Sequence, residues 1–125
     1  MEEEAGKLIH DEKGTLVDFN RSGVPLIEIV SGPDLRSGEE AKEYLKALRA
    51  VLISAGVSDC RMNEGSMRCD VNISVRKRGE ERMGTRTEIK NLNSFRFVAK
   101  AIDYEANRQK ELILRGEPVF EQTLR

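Results

Sequence analysis

Charged and amide side chains alternate with apolar ones in two stretches of this chain, and that spacing is where chemistry would be sought. In Ser66–Arg76, Arg68, Asp70, Asn72, Ser74 and Arg76 alternate with Cys69, Val71, Ile73 and Val75. In Gly84–Asn91, Arg86, Glu88 and Lys90 can share one face while Thr87 and Ile89 take the other. Period two is the pattern of a half-buried strand. The segment between, Lys77–Met83, is polar, contains a glycine and is short enough to join antiparallel neighbours. Paired, the two strands would carry Arg68, Asp70, Asn72, Arg86, Glu88 and Lys90 on one surface. One reading of that surface is a solvated sheet face with cross-strand ion pairs. The other is a site for a metal and a phosphorylated ligand. Carboxylates hold a hard cation such as magnesium, and Arg and Lys take phosphate oxygens.

The elements that must position this ribbon can be read outward from it. Ala5–His10 and Thr15–Asn20 are expected as short strands around a turn at Asp11–Gly14. Val24–Val30, with Pro25 near its start, should complete a three-stranded antiparallel meander. Ser37 and Glu40 form a capping box, followed by Ala41, Leu45, Leu48 and Leu52 at helical spacing and by Gly56 in the C′ place. Val57–Asn63 reads as another short strand. After Ser94 as N-cap, a second helix is expected to run to about Leu114, burying Phe95, Val98, Ile102, Ala106 and Ile113, with Gly116 and Pro118 ending it. Val119–Arg125 reads as extended or frayed. The order strands, helix, hairpin, helix predicts the α+β class, a largely antiparallel sheet flanked by two main helices.

Composition excludes several functions. The 125 residues suffice for one core, and 21 Lys and Arg against 22 Asp and Glu leave no global positive field for nucleic acid. Contact with an RNA would need a local patch or another part of an assembly. Apolar runs fall short of the ~18 residues of a membrane span. The acidic start, Met1–Glu4, is unlike an export signal, so the expected compartment is the cytoplasm. Cys60 and Cys69 lack metal-site spacing and read as free thiols. His10 is the only histidine and reads as a surface turn residue, so a histidine-based hydrolase is not expected. A stand-alone kinase is set aside for want of a glycine-rich phosphate loop.

Four longer blocks carry a resemblance: Glu2–Lys7 (EEEAGK), Leu16–Val30 (LVDFNRSGVPLIEIV), Gly65–Val75 (GSMRCDVNISV) and Gly84–Phe95 (GTRTEIKNLNSF). In this order and spacing they resemble the B subunits of aspartyl/glutamyl-tRNA amidotransferases. The resemblance implies a fold similar to part of the glutamine synthetase catalytic domain. It implies an activity, too: ATP-dependent phosphorylation of the side-chain carboxylate of Asp-tRNA(Asn) or Glu-tRNA(Gln), then amidation with ammonia released from glutamine. Implied cofactors are Mg2+ and ATP; implied partners are the A subunit (an amidase), the small C subunit and the mischarged tRNA. By the same resemblance Glu3 and Glu88 match magnesium-binding positions. Asp70 is expected to line the ammonia path or support the metal, with Arg68 and Lys90 facing phosphate.

The chain also departs from the family pattern. Asn63 stands where an acidic residue is usual, and Gly32 where Glu is usual. An N-terminal strand with further metal ligands and a C-terminal tRNA-gripping helical region are not found. The expectation is therefore a central piece of the catalytic domain, inactive alone. The alternative is a non-catalytic docking or ligand-binding module derived from the same protein.

Overall fold

The structure is a computed structural model. It describes residues 25–124, together with the backbone of the strands at 2–3, 7–11 and 14–18. The chain divides into two units, Met1–Asp34 and Leu35–Arg125.

In the first unit, β1 (Glu2–Glu3) pairs antiparallel with β4 (Pro25–Leu26). Strand β2 (Lys7–Asp11) pairs antiparallel with β3 (Gly14–Asp18), His10 opposite Thr15 and Asp11 opposite Gly14. The expected hairpin therefore forms, but the expected three-stranded meander does not: the described strands make two separate two-stranded ladders. A strand needs a partner backbone as well as β-branched side chains. Among the described residues of the run expected from Val24 to Val30, only Pro25 and Leu26 find one, and Ile27, Ile29 and Val30 beyond them are exposed.

The second unit opens with α1 (Gly38–Ser54). The Ser37 hydroxyl accepts from the Glu40 N–H at 3.1 Å. Glu40 reaches back to the Arg36 N–H, at 2.7 Å, one residue beyond the usual capping-box donor. At the other end Gly56, φ 70°, sits in the left-handed conformation that a residue without Cβ adopts freely. There Gly56 N–H donates to Ile53 O and Val57 N–H to Leu52 O, the paired bonds of a Schellman motif. The second helix, α2 (Phe95–Leu114), repeats the plan: Ser94 caps its start through Phe97 N–H, and Gly116 and Glu117 bond back to Ile113 and Leu112 at its end.

Between the helices lie β5 (Cys69–Ile73) and β6 (Thr87–Leu92), antiparallel, with Val71 opposite Ile89, Asn72 opposite Glu88 and Ile73 opposite Thr87. The strand expected at Val57–Asn63 is instead irregular and ends in a 3-10 turn at Met62–Glu64. Local bonds replace a ladder there: Ser58 Oγ accepts from Cys60 N–H at 3.0 Å and Ser66 Oγ from Arg61 N–H at 2.8 Å. The C-terminal residues, expected to be extended or frayed, are extended at β7 (Gln122–Leu124), which pairs parallel with β6. The sheet order is β5-β6-β7, so this α+β unit has a mixed sheet rather than an antiparallel one, with β6 at its centre.

Leu45 of α1, Val71 of β5, Ile89 of β6 and Val98 of α2 form the buried cluster, with Met67, Cys69, Leu92, Phe95, Ile102 and Leu124 packed around it. Apolar burial of this kind contributes roughly 25 cal/mol per Å². On α1 the expected face holds at Ala41 and Leu45. On α2 Val98 is buried and Phe95 and Ile102 pack against the core, as expected, but Glu105 and Gln109 are fully buried as well, against expectation.

Candidate functional site

Strand β6 has neighbours on both sides and sends alternate side chains to opposite faces. Thr87 and Ile89 point into the core, at 0% and 8% exposure. Glu88 and Lys90 therefore lie on the outer face, where β5 contributes Asp70 and Asn72. The ladder is irregular here. Between the pairs Val71–Ile89 and Cys69–Leu92, β5 has the one residue Asp70 and β6 has two, Lys90 and Asn91. Asn91 takes up the extra length with φ 61°. Such a bulge re-aims the side chains beside it, and the Lys90 ammonium lies 3.5 Å from Glu88 Oε1 and 4.0 Å from Asp70 Oδ2.

The far side of Glu88 is held from β7. The Thr123 hydroxyl lies 3.4 Å from Glu88 Oε2 as donor, and Arg86 Nη2 pairs with Glu121 Oε1 at 3.4 Å. Arg86, Glu88, Glu121, Gln122 and Thr123 line a polar cleft of about 140 Å³. Whole small-molecule sites occupy roughly 300–1,000 Å³, so this cleft has room for a hydrated cation or one phosphoryl group.

Asp70, Glu88 and Lys90, among the residues expected to carry chemistry, thus meet in one partly exposed cluster. Arg68 is exposed one residue before β5 begins. Arg86 turns to Glu121 instead of joining Lys90. The Glu3 backbone lies in the first unit opposite Pro25, and its side chain is outside the described residues. Among the described residues, no three side chains of His, Cys, Asp and Glu gather closely enough to hold a metal ion by themselves. Two carboxylate residues beside an ammonium nevertheless fit a magnesium–phosphate ligand, because magnesium is usually held by one or two carboxylates plus substrate phosphates.

Nucleophilic cysteine chemistry has no support. Cys60 and Cys69 are both free, as expected. Burial, and after it the neighbouring Asp70 charge, pushes the Cys69 thiol up, which keeps it protonated at neutral pH.

Behind the site lies a polar group that the sequence pattern did not reveal. Arg108 donates to both oxygens of buried Glu105, at 2.8 and 2.6 Å. Gln109 Nε2 donates to Glu105 Oε1 at 3.0 Å and to Thr87 Oγ1 at 3.1 Å, and lies 3.3 Å from Ile73 O. Burial pushes the Glu105 carboxyl up, but the bonds from Arg108, Gln109 and Thr87 and the Arg108 charge outweigh it and hold it below the usual value. A signal for these residues exists. The helical steps from Val98 to Ile102 and on to Ile113 pass through positions 105 and 109 when polarity is ignored.

The chain is similar to known proteins along almost its whole length. The family model described as "GatB/GatE catalytic domain" matches residues 1–125. A protein of Anaeromyxobacter sp. named as the B subunit of aspartyl/glutamyl-tRNA(Asn/Gln) amidotransferase is 61% identical over 98% of this chain and 26% of its own length. Proteins of the same name from Clostridium tetani and Caldicellulosiruptor saccharolyticus are 58% and 61% identical over 100% of the chain and 26% of theirs. The chain thus spans about a quarter of the length of the curated relatives it matches. No helix among the described residues is long and apolar enough to cross a membrane.

Proposed function

Because this chain belongs to the GatB/GatE catalytic domain family, we propose that it forms part of the site at which a tRNA-dependent amidotransferase activates a side-chain carboxylate. The substrate is Asp-tRNA(Asn) or Glu-tRNA(Gln). ATP with Mg2+ would supply a phosphoryl group to the carboxylate oxygen, and ammonia would then displace phosphate to leave the amide. The observation that carries the reading is the Lys90 ammonium set beside Glu88 and Asp70 on an exposed face of β5 and β6.

Phosphoryl transfer of this kind asks the protein for positioning and charge neutralisation, with no need of a protein nucleophile. Glu88 and Asp70 supply the hard oxygens that suit magnesium. Lys90, and Arg68 two residues before Asp70, supply positive charge for phosphate oxygens. Thr123 restrains Glu88 from the opposite side. By the family resemblance, Glu3 is a further magnesium-binding position. The full reaction would engage an amidase partner that releases ammonia from glutamine, a small third protein and the charged tRNA, and we place it in the cytoplasm. A glutamine synthetase-like sheet would supply the remaining groups.

Calorimetric titration of Mg·ATP into the chain and into Glu88→Ala tests this. Binding that weakens at least tenfold in the variant, about 1.4 kcal/mol, supports the reading. Equal binding by both removes Glu88 from the site. Co-purification with an amidase partner without any Mg·ATP binding would favour a docking role instead.

A further inference from the structure

The reaction proposed above uses the outer face of β6 and leaves the buried cluster of Thr87, Glu105 and Gln109 without a part. One amide, Gln109 Nε2, approaches acceptors on two strands, Ile73 O on β5 and Thr87 Oγ1 on β6. Ile73 and Thr87 are register partners, and the neighbouring pair is Asn72 opposite Glu88. The Glu105 side chain is 1% exposed. A buried carboxylate is costly unless its oxygens are satisfied, and here the Arg108 fork and Gln109 satisfy them.

The apolar core opposes an exchange of faces, which would carry Ile89 out to solvent, but burial of Val71, Ile89, Val98 and Leu45 is non-directional and leaves the fine alignment of β6 on β5 to directional bonds. A one-residue slip of a strand exchanges its two faces. If β6 slipped so that Glu88 took the place of Thr87, a second carboxylate would be buried against Glu105. Slipped the other way, Arg86 would fill the place and Gln109 would lose an acceptor. Either alternative leaves the cluster worse off than the native register, in which Gln109 Oε1 already lacks a partner.

We propose that Thr87, Glu105 and Gln109 are positioning residues that, together with the apolar alternation, lock β5 and β6 in register and so hold Glu88 opposite Asn72 with Lys90 beside Asp70. The chemical consequence rests on the function proposed above; the register itself does not. Thr87→Val keeps shape and favours a strand but removes the hydroxyl, whereas Thr87→Ser keeps the hydroxyl. Gln109→Met keeps length and helix preference but removes the amide.

Two readouts on the full chain decide the matter: the cross-strand nuclear Overhauser contact between Asn72 and Glu88, and Mg·ATP affinity. Thr87→Val and Gln109→Met should lose the contact and weaken binding about tenfold or more, while Thr87→Ser stays within about threefold. If both disruptive variants keep the contact, and keep affinity within about threefold while melting lower, the cluster serves stability alone and the proposal is overturned. Should the unmodified chain bind no Mg·ATP, the proposed function fails, and the contact alone decides the inference. If one disruptive variant does not fold, the other decides. Unfolding of both also overturns it, because the cluster would then be a condition of folding rather than of register.

Discussion

Gly38→Ala should destabilise the second unit even though alanine is the better helix former. Gly38 is buried at the start of α1, where the helix meets α2. A Cβ built on it would strike the carbonyl oxygen of Ala99, lie 3.0 Å from the Ala99 carbonyl carbon and 2.8 Å from Asp103 Oδ1. Asp103 is also the acceptor for the Gly38 N–H, at 3.1 Å. Propensity offers at most about 1 kcal/mol in favour of alanine, less at a first-turn position. Overpacking against a neighbouring helix backbone costs about 1–3 kcal/mol. Pushing the helices apart also weakens the Gly38–Asp103 bond, worth about 1 kcal/mol. The net is about 2 kcal/mol of destabilisation. For a unit of this size that corresponds to a fall in Tm of roughly 10 °C. Circular dichroism melts of the variant and the unmodified chain measure it. The informative control is the same substitution in an Asp103→Ala background. There the flexible carboxylate is gone and the Ala99 carbonyl remains, so the cost should persist. An unchanged or raised Tm for Gly38→Ala, or a cost that disappears with Asp103, would refute the argument from close helix approach.

Further perturbations test other parts of the structure. Leu45→Ala opens space in the cluster with Val71, Ile89 and Val98 and should cost about 2–4 kcal/mol in urea unfolding, whereas Leu114→Ala, at 76% exposure, should stay within about 0.5 kcal/mol. Ser94→Ala removes the acceptor for Phe97 N–H and should cost about 1 kcal/mol, with Ser94→Asp restoring most of it. Glu105 predicts a pH dependence. Its folded carboxyl is depressed, so its contribution is whole above the unfolded value near 4.5 and is lost as pH falls through the lower folded value. Urea midpoints between neutral pH and about pH 3 should therefore fall more for the unmodified chain than for Glu105→Gln; equal falls would mean that Glu105 is not held ionised.

Local signals in the sequence are legible because they act locally. Ser37, Ser94, Gly56 and Gly116 bound the two helices, and each acts on backbone groups within a few residues. The alternation through Asp70, Asn72, Glu88 and Lys90 likewise places these residues on one face, as the Asn72–Glu88 pair and the two Lys90 ion pairs require. Non-local pairing is not legible. Val24–Val30 has strand propensity, yet among its described residues Pro25 and Leu26 alone find a partner, in β1. Gln122–Leu124 has no stronger local signal, yet lies beside β6. Propensity describes a residue's fit to a sheet; it does not say whether another strand arrives.

The polar core shows a different limit, with consequences for how any variant here is interpreted. Reading α2 by polarity passes over Glu105 and Gln109, because a carboxylate and an amide ordinarily belong outside. They are inside because each has named partners: Arg108 for the charge, Thr87 and Ile73 for the amide nitrogen, with Gln109 Oε1 left unpartnered. Those partners of the amide sit on the reverse side of the strands that carry Glu88 and Asp70. Core and site therefore share the same backbone, one residue apart. A loss of function at Thr87 cannot be assigned by melting temperature alone, nor a loss of stability at Glu88 by binding alone. The pairs that separate them hold shape constant and change one polar group, as Thr87→Val against Thr87→Ser does. On the outer face, Lys90→Met against Lys90→Arg is the matching comparison. Loss of positive charge between Glu88 and Asp70 should leave the buried cluster, and hence the register contact, unchanged. Should Lys90→Met shift that contact as Thr87→Val does, the two faces of β6 are not separable, and register is set by the outer ion pairs as much as by the core.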